Sequence, residues 1–369
     1  MLQTPYYLLE EEKLEKNLEL LDYVQKQSGA KILLALKGYA FSESFSLVSK
    51  YLQGCCASGL YEAKLAFHKF QKEVHTYSPA FKDEEIDEIL EISNHIVFNS
   101  FEQLKKFKQK ALKSGVSIGL RLNPEVSASP KEIYNPCGLY SRLGITKKNF
   151  KADELDGVEG FHFHALCEQG ADELEEVLKG FEKNFGEFIR GLKWVNFGGG
   201  HHITKKGYDV EKLIKLIKDF KQKYGVEVYL EPGEAIGWQT GDLYATVLDI
   251  VENGMKIAIL DTSAEAHMPD TIIMPYRSEV EGAGEAGEKP YTYRLAGNTC
   301  LAGDIMGDYS FDKPLKVGDK VIFKDQIHYT IVKNTTFNGI KLPDLAIKRK
   351  DGKIEVVKKF GYEEYQRRV

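Results

Sequence analysis

Between residues 31 and 230 the chain alternates short apolar runs with helix-patterned segments, and no other feature limits its fold so tightly. The runs are Lys31–Leu36, Gly54–Ala57, Val74–Tyr77, His95–Phe98, Ser117–Leu122, Val158–His164, Leu192–Phe197 and Val226–Leu230. Each is too short for a helix and reads as a buried strand. Helical spacing fills the gaps, notably at Glu43–Leu52, Tyr61–Phe70, Asp83–Ile92, Phe101–Lys113, Leu174–Ile189 and Val210–Tyr224. A further helical pattern, Glu10–Gln27, precedes the first run, with leucines at 14, 18 and 21. Alternation of this kind produces parallel strands covered by helices. Eight strands suggest an α/β barrel of the TIM-like (β/α)8 type. An open doubly wound sheet is the alternative, and one miscounted strand would remove the distinction.

After Pro232 the period changes. Asp242–Val251, Lys256–Leu260, Tyr291–Leu295, Lys320–Phe323, Leu345–Arg349 and Ile354–Val357 alternate apolar with polar residues, and glycine-rich turns separate several of them. This predicts a C-terminal all-β domain. The expected division is a barrel over 10–234 and a β domain over 235–369, joined by the strand-like N-terminal segment 1–9. A length of 369 residues with 43% hydrophobic content suits two such domains. A net charge of −5 shows no basic excess that would point to nucleic acid. No apolar run approaches the roughly 20 residues of a membrane span. The start, Met1-Leu2-Gln3-Thr4-Pro5, lacks the pattern of a secretory signal. Cys55, Cys56, Cys137, Cys167 and Cys300 contain no CxxC pair and are odd in number, which fits reduced thiols in the cytoplasm.

Barrels place function at the C-terminal ends of their strands. Here those ends carry Lys37, Arg121-Leu122-Asn123, His162-Phe163-His164-Ala165-Leu166-Cys167, Asn196-Phe197-Gly198-Gly199-Gly200-His201-His202 and Glu231-Pro232-Gly233-Glu234. A purely structural barrel needs no such polar clusters. A buried lysine has a lowered pKa, and its neutral amine forms Schiff bases, whereas an ordinary strand-end lysine would snorkel to water. Gly198–Gly200 lets backbone N–H groups approach a phosphate, and the loops after strands seven and eight of barrels often bind one. A lysine and a phosphate site together point to pyridoxal 5′-phosphate (PLP). Glu231 suits the PLP ring nitrogen, whose protonated form a carboxylate stabilises. His164 can stack on the ring. In their bland readings Glu231 is a salt-bridged barrel carboxylate and His164 a satisfied strand-end histidine.

Together these residues resemble the fold type III PLP enzymes, which include alanine racemase and the diaminopimelate and ornithine decarboxylases. The resemblance covers nearly the whole chain. Lys37 in ALKGYA matches the Schiff-base lysine, and Cys56-Ala57-Ser58-Gly59-Leu60-Tyr61-Glu62 resembles the strand-two turn. Ser141-Arg142-Leu143-Gly144-Ile145 resembles the family's S-[KR]-[FL]-G stretch. His164 matches the ring-stacking histidine, Gly198-Gly199-Gly200 the phosphate loop, and Glu231-Pro232-Gly233 the glutamate on the ring nitrogen. Racemases have arginine at that last point, so the glutamate implies a decarboxylase. Leu315–Val321 resembles the β-domain signature, and the resemblance implies that Tyr329 reaches the cofactor phosphate. Cys300, in Gly297-Asn298-Thr299-Cys300-Leu301-Ala302-Gly303-Asp304, matches the catalytic cysteine loop. In relatives that loop, with its aspartate, enters the partner subunit's site, so the resemblance implies a homodimer in which Asp304 contacts substrate.

Two positions depart from the diaminopimelate and ornithine enzymes. Glu234 stands where they have arginine after Glu-Pro-Gly, and Cys167 replaces a serine. An anionic Glu234 repels a distal carboxylate and attracts an amine. His201-His202, Gly233-Glu234-Ala235 and His267-Met268-Pro269-Asp270 together look like the carboxynorspermidine decarboxylase branch, which makes norspermidine or spermidine from a carboxylated triamine. Glu234 and Asp270 would then suit the cationic tail of that substrate, although Asp270 also reads as an ordinary loop residue. Diaminopimelate decarboxylase is the competitor within the family. Outside it stand a metal-dependent barrel hydrolase, using His162, His164, His201, His202 and Asp261, and a non-catalytic PLP-binding protein. The metal alternative leaves Lys37, the three glycines and Glu231 unexplained, so no metal is expected. The non-catalytic alternative leaves the C-terminal domain and Cys300 unexplained.

Overall fold

A computed structural model describes residues 2–369 apart from 128, 130 and 131. The chain forms two compact units, Lys16–Ile236 and a second unit made of the residues up to Glu15 with Gly237–Val369. Strand β1 (Tyr6–Glu10) belongs to the second unit. The first unit is a closed barrel of parallel strands: β2 (Lys31–Ala35), β3 (Gly54–Ala57), β4 (Glu73–Tyr77), β5 (His95–Phe98), β6 (Ser117–Arg121), β7 (Gly160–His162), β8 (Trp194–Asn196) and β9 (Glu227–Leu230). Pairing of β9 with β2 closes it, so the barrel is formed and the open sheet is excluded.

Helices between the strands begin and end on recognisable residues. Ser100 caps Phe101–Ser114 by accepting the Gln103 N–H at 3.2 Å, and Gly115 ends it at φ +78°. Asp209 caps Val210–Tyr224 in the same way at 2.9 Å, and Gly225 ends it at φ +72°. That helix buries Leu213, Ile214, Ile217 and Phe220, one face at helical spacing. Inside the barrel, Leu33, Val97, Trp194 and Tyr229 form the packed layer, with Cys56 and Tyr77 against it. Trp194 determines its neighbours. A Cβ on Gly160 would sit 2.1 Å from the indole and one on Gly119 2.3 Å from it, so only glycine fits at either. The indole N–H donates to the Ser117 hydroxyl at 2.8 Å.

Parallel pairing fixes the level of the polar residues above this layer. Arg121 pairs with His162, and His162 with Asn196, so neighbouring strands deliver all three together. Arg121, His162, Asn196 and Glu231 are buried.

The second unit is an eight-stranded sheet in the order β13-β12-β11-β10-β1-β15-β16, with β14 on β10. Its further strands are β10 (Gly241–Glu252), β11 (Lys256–Leu260), β12 (Tyr291–Ala296), β13 (Ile305–Phe311), β14 (Lys320–Phe323), β15 (Asp344–Lys348) and β16 (Ile354–Lys358). Strand β1 lies between β10, antiparallel, and β15, parallel. Strand β13 escapes the sequence pattern, because Gly307 and Asp308 interrupt its alternation; its register with β12 shifts at Leu295/Ala296. Short helices at Ala264–His267, Asp270–Ile273 and Tyr362–Arg368 are also present, so the domain is mainly rather than wholly β. No helix of the described residues is long and apolar enough to cross a membrane.

Candidate active site

Lys37 lies in the turn just past β2. The Ala35 N–H donates to the Pro232 carbonyl at 3.0 Å, which ties this turn to the loop after β9. A Cβ on Gly38 would lie 3.0 Å from the Gly233 Cα, so two glycines permit the close approach. Lys37 stays solvent-accessible, yet protein surrounds its amine. Burial lowers its pKa, Cys56 opposes that, and the Arg121 charge adds to it. The neutral, nucleophilic amine is thereby favoured.

His164 lies two residues beyond the end of β7. Its Nδ1 accepts the Gly199 N–H at 2.8 Å, which leaves the proton on Nε2 and fixes the ring plane. Burial, then Lys37 and Arg121, hold its pKa well below the usual value, so the ring is neutral. Gly198–Gly200 cannot be other residues. Gly198 and Gly200 have φ of +71° and +83°, and a Cβ on Gly199 would stand 2.4 Å from the Glu231 carbonyl oxygen. The Gly198 N–H donates to Asn196 Oδ1 at 2.8 Å, so the first two glycine N–H groups hold the loop on its neighbours.

Glu231 is gripped from both sides. Oε1 accepts from Asn196 Nδ2 at 2.7 Å, and Oε2 lies 3.1 Å from His162 Nε2. Burial alone would raise the carboxyl's pKa; His162, His75 and Asn196 more than offset it and hold the group at about 2. His162 itself is kept neutral by burial, so it acts on Glu231 as a hydrogen-bond donor. Arg121 lies with its guanidinium carbon 4.6 Å from the Tyr77 ring centroid, and Nη2 reaches the His164 carbonyl at 3.4 Å. Asn99 bonds the Tyr77 hydroxyl at 2.8 Å, the Gly144 N–H at 2.7 Å and the Arg142 carbonyl at 2.8 Å. Through Asn99 the Ser141–Ile145 motif is fastened to the same end of the barrel. Glu234 begins the short helix Glu234–Gly237. Burial, Glu168 and Glu234 together push the Cys167 thiol up to about 11.

The barrel mouth therefore gathers Lys37, His164, Gly198, Gly199, Gly200, Glu231 and Glu234. The other sequence candidates belong to the sheet unit. Cys300 is exposed, and its N–H donates to Asn338 Oδ1 at 2.6 Å. Asp304 is buried and accepts from the Ala264 N–H at 2.7 Å and the Thr299 hydroxyl at 2.6 Å, anchoring the cysteine loop to the helix Ala264–His267. Both oxygens of Asp270 accept from Lys333 Nζ at 2.7 Å. The Lys333 ammonium also lies 5.4 Å from the ring centroid of Tyr329, whose φ is +29°. Asp261 binds Thr4 at 2.6 Å and the Thr246 N–H at 2.7 Å, a structural use.

Residues 23–326 match the family model described as the pyridoxal-dependent decarboxylase, C-terminal sheet domain. A carboxynorspermidine/carboxyspermidine decarboxylase of Campylobacter jejuni is 60% identical, over 100% of this chain and 98% of that one. The chain belongs to that decarboxylase family. A crystal structure of carboxynorspermidine decarboxylase complexed with norspermidine, from Campylobacter jejuni, superposes with a TM-score of 0.94 at 58% identity, covering 100% of both chains. A carboxyaminopropylagmatine decarboxylase of Synechocystis is 43% identical over 100% of this chain and 96% of that one. This protein is thus a PLP-dependent decarboxylase of fold type III.

The barrel mouth of the decarboxylase fits its cofactor. It offers an amine biased toward the neutral form, a neutral imidazole face, a glycine turn that a Cβ would fill, and a carboxylate kept ionised at neutral pH. Among the described residues, one group of three metal-ligand side chains stands close enough for an ion: Glu73, His75 and His95. Glu73 and His95 are the first residues of β4 and β5, and His75 is the middle residue of β4. Sequence reasoning left His162, Asn196, Tyr77 and Arg121 without assigned roles in cofactor binding. Strand alternation held the signal for His162 and Asn196, since both lie at the same strand-end level as Arg121.

Proposed function

We propose that this enzyme decarboxylates carboxynorspermidine or carboxyspermidine, releasing norspermidine or spermidine and CO2 at the last step of polyamine synthesis. Full-length similarity at 60% identity to a decarboxylase of that name carries the proposal. Bound PLP supplies an electron sink for the pair left on the α-carbon when CO2 departs. The residues then divide the work. Lys37 would hold the bound cofactor through its amine. His164 covers the ring with a neutral face that Gly199 keeps from rotating. Glu231 holds a proton on the ring nitrogen, and His162 and Asn196 keep Glu231 ionised.

Glu234 attracts the cationic tail and disfavours a distal carboxylate, which separates this site from one for diaminopimelate. Asp270 can take a substrate amine only by exchanging Lys333 for it. Cys300 returns a proton to the α-carbon, from a loop that Asp304 anchors and a partner subunit contributes; Tyr329 takes a cofactor-phosphate role. A homodimer follows from that sharing. Five unpaired cysteines support a reducing, cytoplasmic setting.

The test is product analysis. Purified enzyme with PLP and carboxynorspermidine should release CO2 and norspermidine in equal amounts, and Lys37→Ala should release neither. Stronger release from carboxyaminopropylagmatine would reassign the tail site to a guanidinium; release from neither would overturn the proposal.

A further inference from the structure

The end of the barrel opposite Lys37 holds a second set of polar groups. Parallel pairing brings the first residues of the strands there: Lys31, Glu73, His95 and Glu227. His75, two residues into β4, points the same way as Glu73. One donor atom from each of Glu73, His75 and His95 lies within 4.8 Å of the others. The imidazoles of His75 and His95 are stacked 3.8 Å apart, 15° from parallel. Tyr229 and Trp194 close around them, at ring-centroid distances of 4.7 Å from His75 and 4.8 Å from His95.

The hydrogen bonds leave ligand atoms unused. Glu73 Oε2 lies 3.1 Å from His75 Nε2, close to the separation of two ligands on one ion. His75 Nδ1 is buried and without a partner, on a side chain only 2% exposed. His95 Nδ1 is buried and unpartnered as well. Two orphaned buried imidazole nitrogens on neighbouring strands are costly. Glu73 Oε1 is in a long ion pair with Lys31 at 3.7 Å, which a metal would have to displace. Lys31 has an alternative in Glu227 at 3.6 Å. Glu73 and His95 are each partly exposed, which leaves an entry path.

We infer that Glu73, His75 and His95 form a binding site for one divalent transition metal of the zinc class at the N-terminal mouth of the barrel. Two imidazole nitrogens and one carboxylate oxygen suit that class, with water completing the shell. Ligands about 2 Å from the ion stand roughly 3.3 Å apart, so binding draws the donors together by rotation of the two stacked rings. The site joins β4 to β5 and has a structural role, separate from the PLP chemistry.

The test uses PLP-loaded enzyme stripped with chelator and titrated with cobalt(II), whose d–d absorption reports geometry. One equivalent per chain should bind with a low-symmetry, four- or five-coordinate spectrum. His95→Gln and, at the partly exposed rim, Glu73→Gln should each weaken binding at least tenfold. Cofactor absorbance and decarboxylation in both variants should match the parent and so certify folding. If His95→Gln does not fold, Glu73→Gln and the parent spectrum decide alone. No saturable binding, undiminished binding in a folded variant, or a thiolate charge-transfer band placing cobalt on cysteine would overturn the inference.

Discussion

Replacing Glu231 with glutamine removes one charge and almost no volume. In the structure the carboxylate is buried, bonded by Asn196 at 2.7 Å and His162 at 3.1 Å. Glutamine can keep one bond to each neighbour if His162 changes tautomer, so the barrel should fold. What disappears is the anion beside the cofactor ring. An opposite charge at such a distance shifts a pKa by about 1–3 units, and each unit is worth about 1.4 kcal/mol. If that stabilisation of the protonated ring is carried into the transition state, kcat should fall by about 10- to 1000-fold. The assay is kcat for CO2 release at saturating substrate, with cofactor occupancy read from absorbance in the same sample. Full occupancy with kcat within threefold of the parent would refute the role given to Glu231. The same substitution has a signed effect on stability. The carboxyl is held at about 2 against an ordinary 4.5, worth about 3 kcal/mol. That contribution is complete above pH 4.5 and is lost as pH falls toward 2, so only the parent should show it.

Other outcomes follow from single contacts. Burial holds His201 and His267 at about 4, below the ordinary 6.5. Between those values the unfolded chain binds more protons, so stability should fall as pH drops below 6.5, by about 3 kcal/mol per histidine at pH 4. Urea midpoints across pH 4.5–7 check this, and His267→Gln should flatten the slope. Gly160→Ala would force a Cβ to 2.1 Å from Trp194 and should cost about 1–3 kcal/mol by overpacking; an unchanged melting temperature would contradict the packing account. Glu234→Arg should raise KM for the triamine more than it weakens PLP binding, and equal losses would remove Glu234 from the substrate site.

Much of the barrel was readable because its strands are bounded by glycines and helical patterns that the structure keeps. Gly54–Ala57 and His95–Phe98 are strands over those same residues. The reading weakened where period and fold part company. Strand β7 ends at His162, so His162 and His164 are not two teeth of one strand facing a metal. One grips Glu231, and the other bends back to meet Gly199. Local pattern cannot show that, because β9 and the loop after β8 supply the partners. Strand β13 was hidden by Gly307 and Asp308, and its pairing with β12 is a tertiary fact. Asp270 looked available in sequence, but Lys333, 63 residues on, binds both its oxygens. Glu73, His75 and His95 are apart in sequence, and only the pairing of β4 with β5 sets His75 beside His95.

The most direct test of the central claim is the ratio of kcat/KM for carboxynorspermidine to that for diaminopimelate, measured on the PLP-loaded enzyme. In the proposed role Glu234 attracts the ammonium tail of one substrate and repels the distal carboxylate of the other, so the ratio should exceed about 100, the value of roughly 3 kcal/mol between attraction and repulsion. A ratio near one, or a preference for diaminopimelate, would contradict the substrate reading while leaving Lys37 and Glu231 in their places.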